Sequence, residues 1–264
     1  MSFLAWIDFD QADRERTHRI MDLFKEEDAR DELGIGAVRD ALSDLLFPGT
    51  STIQTRLRYM LFVPWIYGLA ARHGGSGAAR GEVARVHEIA LIGALERGGE
   101  STGIIGAQAR EALKRLPSDV YWAGLGRLGI RRFAGSRAAC LEIRAEGPGP
   151  DPRLWSPGLP EAEDGFLEAT GFRLRQEEAD FLCDRLAEKA PGSLLRDLTQ
   201  DGAPPSCPQI WAHPGRGGWS AENRALVDHA ERFSLLLHGA ALLYNLMLSE
   251  RVSETAPASQ VDSI

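Results

Sequence analysis

Asp8 and Asp10 close an apolar stretch, WIDFD, in the D-x-D spacing by which some phosphotransferases hold a magnesium ion between two carboxylates. The chemistry stops there. No Thr or Val follows at the place such a site needs, and no later lysine and acidic pair completes it. Capping of the helix that follows accounts for both acids. The six histidines (His18, His73, His87, His213, His229 and His238) form no HxxxH, HExxH or HxK pair. The three cysteines, Cys140, Cys183 and Cys207, lack CxxC spacing, and GGSGAARG lacks the Lys-Ser/Thr of a phosphate-binding loop. We therefore expect no catalytic group, no metal ligand and no cofactor. The reading leans away from an enzyme, with a metal-dependent nuclease or phosphotransferase as the remote alternative.

Cations offer a second chemistry, the binding of phosphates. Residues 104–144 hold eight bases and three acids in a chain whose net charge is −8. Phosphates respond to the local field, so a basic patch can work in an acidic protein. Arg110, Lys114, Arg115, Arg127, Arg131 and Arg132 are the candidate nucleic-acid contacts. They flank LPSDVYWAGLGRLGIRRF, in which Pro117 stops one helix, Ser118 caps the next and Gly129 ends it. Val120, Tyr121, Gly124, Leu125 and Leu128 form an inner face. Helix, tight turn, capped helix and basic strand is the order of a winged helix-turn-helix. Against it, the leading face would present Asp119 and Trp122 to the phosphate backbone, and Gly124 and Gly126 suit close helix packing at least as well.

Partner contacts are the third chemistry. Arg56 and Arg58 head a nearly all-apolar helix, where free backbone N–H groups suit an anion or a partner. The plainer reading has both guanidinium groups reaching to water over the apolar stem. Trp65 and Tyr67 belong in a core. His238 and Asn245 lie seven apart, on one face of the last helix with Tyr244 beside them, and are expected to fix helix register or a subunit contact.

These residues need elements to carry them. At 264 residues, 44% hydrophobic and 26% charged, the chain can bury a sizeable core. Only three of the 30 basic residues are lysine, which reads as coding bias rather than arginine-specific recognition. The two apolar runs, residues 59–71 and 233–248, are 13 and 16 residues long, short of the roughly 18 to 20 of a membrane span. With sparse thiols and no leader-like start, a soluble cytoplasmic protein is expected. Asp8 to Asp44 carries twelve acids and six bases and holds most of the acidic excess.

Periodicity predicts a strand in SFLAWIDFD, then helices at Gln11–Lys25 and Ile35–Phe47, the latter with Val38, Leu42, Leu45 and Leu46 as its stripe. Further helices are expected after a cap at Ser51 or Thr52 and with a kink at Pro64, across residues 81–97, over Gly103–Arg115, near Gln176–Lys189 and Pro191–Leu198, and over Ser220–Arg251.

The strings SFLAWIDFDQADRERT, FPGTSTIQTRLRYMLFVPWIY, LPSDVYWAGLGRLGI and HGAALLYNLMLSE together resemble an uncharacterised bacterial family, the domain of unknown function numbered sixty-three sixty-one. The resemblance covers nearly the whole chain, and members usually continue past the last helix. It carries no activity and no residue role. Its members tend to lie near helicase and phospholipase-D-like genes of anti-phage loci, which implies a part in antiviral defence by association.

The expected fold is all-α with a short N-terminal strand and a small winged-helix-like β element. Residues 1–145 form an N-terminal helical lobe with the winged-helix-like part at 101–145. A Pro/Gly-rich linker spans 146–165, a C-terminal helical lobe 166–251 and a disordered tail 252–264. The expected function is that of a non-enzymatic accessory component of a bacterial defence system. It would act through protein partners and nucleic acid, without a membrane, and would oligomerise through its C-terminal helix. A winged-helix DNA-binding module is the alternative.

Overall fold

The computed structural model describes residues 34–145, 147, 151–200 and 207–255, the last four as backbone. The expected N-terminal strand, the helix at Gln11–Lys25, and Asp8 and Asp10 lie outside the described residues. The chain divides into one unit up to Ala41 and one from Leu42 onward. Eight α-helices are present among the described residues, and no strand.

Helix α1 (Ile35–Leu46) ends the acidic region; of its predicted stripe, Leu46 is buried and Leu45 exposed. No cap at Ser51 or Thr52 starts the next helix. Residues 50–58 instead run as turns held by the Tyr121 hydroxyl, which accepts from the Thr55 and Arg56 amides and donates to the Arg56 carbonyl. Helix α2 (Tyr59–Ala71) then begins. It is apolar on every side and buried along nearly its whole length, as all-round hydrophobicity demands. It runs through Pro64, which removes the bond that the Met60 carbonyl would accept.

Around α2 several of the later elements form one core. Helix α3 (Gly77–Arg97) starts at Ser76, whose Oγ accepts from the Ala79 amide, and stops at Gly98 and Gly99. Gly99 takes φ +91, a conformation side chains disfavour. The predicted helix Gly103–Arg115 does not form. Gly103 and Gly106 adopt φ +79 and +86, which interrupts the ladder, and only a single 3-10 turn at Arg110–Ala112 remains. Gly106 is held there because a β-carbon would meet Leu113 and Ile92 within 3.0 Å.

Helix α4 (Pro117–Arg127) has Pro117 at its first position and the predicted inner face, with Val120, Tyr121, Gly124, Leu125 and Leu128 buried. Ser118 is not its cap. Leu116 takes that place, and the Asp119 carboxylate accepts from the Leu116 amide at 2.8 Å. Gly129 ends it at φ +66. Past Gly129 the expected basic strand is reduced to an isolated bridge between Arg131 and Trp155. Helix α5 (Arg137–Glu142) follows. Lacking the first helix and a wing, the segment 101–145 does not show the winged-helix order.

Residues 151–165 of the segment expected to be a linker contribute to the core. Leu154, Trp155 and Leu159 are buried in the same cluster as α2, α3 and α4. The Leu154 carbonyl accepts from the Arg132 amide, the Ser156 amide donates to Ile130, and Trp65 donates its indole N–H to Pro160. Prolines and glycines forbid regular ladders; they do not forbid burial of the large residues between them. Helix α6 (Gln176–Lys189) follows the sequence expectation and adds Phe181, Leu182 and Leu186 to that core. Helix α7 (Leu194–Gln200) and the base of helix α8 (Ala221–Thr255) build a second, smaller cluster from Leu46, Leu194, Trp219 and Val227. Helix α8 runs four residues into the segment expected to be a disordered tail; the rest of that tail lies outside the described residues.

Candidate interaction surface

Helix α8 is 35 residues long, roughly 52 Å at the standard rise. Its base is anchored. Val227 is buried with Leu226 and Ala230 beside it, buried Asn223 donates to the Asp197 carboxylate at 2.7 Å, and Arg216 pairs with Asp228. The residues packed on the second cluster end at Ala230.

Beyond that point the helix is apolar and exposed. Leu235, Leu236, Leu242, Leu243, Tyr244, Leu246, Met247 and Leu248 are each 43–73% exposed. Asn223, Val227 and Ala230 define the face turned to the protein, and helical spacing continues that face as Ser234, His238, Ala241 and Asn245. The opposite face is Ala225, His229 and Arg232 at the base, then Leu236, Ala240, Leu243 and Met247. The apolar side of the helix thus changes hands after Arg232. His238 and Asn245 share one stripe, as their spacing predicts, and both are exposed.

The arginines expected to contact a partner divide. Arg56 is exposed and donates to Thr102 Oγ1 at 2.9 Å, with its guanidinium 5.6 Å from the Phe172 ring centre. Arg58 does not reach water; it is 3% exposed. Its Nε and Nη2 grip both oxygens of the fully buried Glu178 at 2.9 and 2.8 Å, and Nη1 donates to Thr170 and to the Gly171 carbonyl. Nη2 also lies 3.1 Å from Glu163. A charge so enclosed is a core tie rather than a ligand contact. Apolar neighbours in sequence conceal this, because its counter-charges come from residues 163–178.

The six basic candidates also divide. Arg110, in the left-handed region at φ +46, pairs with Glu96 at 2.8 Å. Arg131 lies 4.8 Å over the Trp122 ring and donates to the Trp122, Phe133 and Gly135 carbonyls. Arg132 donates to the Pro152 carbonyl yet stays exposed, as do Lys114, Arg115 and Arg127. Asp119, expected on an exposed leading face, is bound by Arg137. Trp122 packs against Tyr67 and Trp155.

Glu88 and Cys140 are further titratable groups of the core. Glu88 is 1% exposed; its oxygens accept from the Ser118 amide at 2.7 Å and the Ser118 hydroxyl at 2.9 Å, so α3 caps α4. Burial pushes its carboxyl up to about 7, against the hydrogen bonds from Ser118 and the nearby Arg137. Burial also raises the Cys140 thiol to about 12. Ser118 is fully buried, so a substrate has no path to this serine–carboxylate pair. A cavity of about 320 Å³ lined by Ile92, Gly93, Arg97 and Arg110 has its guanidinium groups already engaged, Arg97 by the Glu168 carbonyl and Arg110 by Glu96. Among the described residues no three His, Cys, Asp or Glu side chains gather as a metal site, and no helix is long and apolar enough to cross a membrane.

Residues 1–263 match the family described as a family of unknown function, DUF6361. No curated protein and no solved structure matches the chain.

Proposed function

We propose that this chain, which belongs to the family of unknown function DUF6361, is a non-enzymatic component of a protein assembly and works through the distal half of α8. One observation carries the reading: eight large apolar side chains stand exposed on a single helix whose base is firmly packed. An exposed apolar surface of this size marks a contact site. The anti-phage setting comes from the sequence resemblance and belongs to the same proposal. The test is the double variant Leu236→Asp with Leu243→Asp in the native host. Both residues are exposed, so the fold and its melting temperature are expected to hold while co-assembly and protection against phage are lost. Protection retained by a correctly folded double variant would end the proposal.

A nucleic-acid contact is a second reading, favoured by the exposure of Lys114, Arg115, Arg127 and Arg132 within a basic stretch of an acidic chain. Phosphate contacts would make affinity for duplex DNA fall steeply with salt, and Arg127→Glu with Arg132→Glu would abolish it. Binding indifferent to both would exclude it.

A further inference from the structure

We propose that the occupant of α8 is a second copy of this chain, paired antiparallel about Ala241 across a two-fold axis. The inference rests on reading α8 as the working surface and names its partner.

Arg232, Leu236, Gly239, Leu243, Leu246 and Glu250 follow one another at steps of 4, 3, 4, 3 and 4, the spacing of a helix–helix seam. That spacing reads the same from either end, as a self-complementary two-fold contact requires. Laid antiparallel on itself, the stripe sets Arg232 against Glu250 of the second copy, Leu236 against its Leu246, and Gly239 against its Leu243, each pair occurring twice. Laid parallel, it would set Arg232 on Arg232, Glu250 on Glu250 and glycine on glycine. Charge and volume both select the antiparallel arrangement.

Gly239 is an independent mark. It sits in the middle of an exposed helix, where glycine is unfavourable, and a β-carbon there would meet nothing within 4 Å in its own chain. The fold gives no reason for it; a leucine arriving from a facing helix does. Between Arg232 and Glu250 the helix carries no Asp, Glu, Lys or Arg, so it offers neither a charged partner nor an anionic lipid surface anything to pair with.

The experiment is sedimentation of the purified full chain over a concentration series. Wild type is expected as a dimer, and Leu243→Asp as a folded monomer by circular dichroism. Arg232→Glu alone and Glu250→Arg alone each create two like-charge contacts and should weaken the dimer about tenfold. The Arg232→Glu/Glu250→Arg double variant should restore it. Single variants no weaker than wild type would overturn the antiparallel pairing, and a wild type that stays monomeric at about 100 μM would overturn self-association. A monomeric wild type whose Leu236→Asp/Leu243→Asp variant still loses co-assembly would sink this inference alone and leave α8 as the contact for a different protein. Loss of neither would sink both.

Discussion

Arg58 and Glu178, 120 residues apart in sequence, meet inside the core through two parallel N–H···O bonds. The guanidinium belongs to the residue preceding α2, and the carboxylate also caps α6 by accepting from the Arg175 amide. One ion pair thereby ties the start of the central helix to the start of a helix laid down much later.

Removing one side of that pair leaves the other enclosed with only a part-exposed counter-charge, Glu163 for Arg58 and Arg175 for Glu178. Arg58→Met and Glu178→Ala are each expected to lower unfolding free energy by about 3–5 kcal/mol in urea titrations. Arg58→Lys should fare little better, because an ammonium cannot span both carboxylate oxygens. A loss under about 1 kcal/mol for Arg58→Met would show that the pair is dispensable.

Glu88 gives a pH dependence of defined sign. Its folded carboxyl titrates near 7 against an ordinary value of 4.5 because burial disfavours the anion. The folded state therefore holds a proton that the unfolded chain releases. The contribution of this group is fully present below pH 4.5 and is lost as pH rises through 7, a span on the order of 3 kcal/mol. Glu88→Gln keeps an oxygen for the Ser118 amide and cannot titrate. Urea melts from pH 5 to 8 should show the variant gaining on wild type as pH rises; parallel curves would rule out this assignment.

Two helical glycines should respond in opposite ways to alanine. A β-carbon on Gly124 would collide with the Gly49 carbonyl and lie 2.9 Å from Met60 Cε. Gly124→Ala is expected to cost about 1–3 kcal/mol by overpacking. Gly239 meets nothing in its own chain, so Gly239→Ala in a monomeric Leu243→Asp background should leave the fold unchanged or stabilise it by up to about 1 kcal/mol. Thermal melts of the two variants decide the matter.

Sequence periodicity alone located α6, the inner face of α4, the burial of α2 and nearly the full length of α8, since each is set by local spacing and propensity. The close packing suggested by Gly124 was legible too. Elsewhere distant residues decide. Gly103 and Gly106 break a stretch whose composition reads as helical, because Leu113 and Ile92 occupy the space beside Gly106. Leu154 and Trp155 are drawn into the core between prolines that forbid a ladder. Arg58 reads as bound for water because its counter-charges lie more than 100 residues downstream. Nothing in the local pattern marks Arg232 and Glu250 as the ends of one stripe; that relation needs the exposure of everything between them.

The burial of α2 also has a consequence in time. Its cover includes Trp155, Phe166, Phe181 and Leu186, all synthesised after it. At 5–20 residues per second, roughly 6–23 s pass between the emergence of Ala71 and that of Leu186. For that interval a greasy rod stands only partly covered, first by α3 and then by α4, at the mouth of the ribosome. Nascent-chain chaperones are therefore natural companions of this polypeptide during its manufacture, and translation that stalls anywhere before Leu186 should yield aggregate rather than a stable fragment.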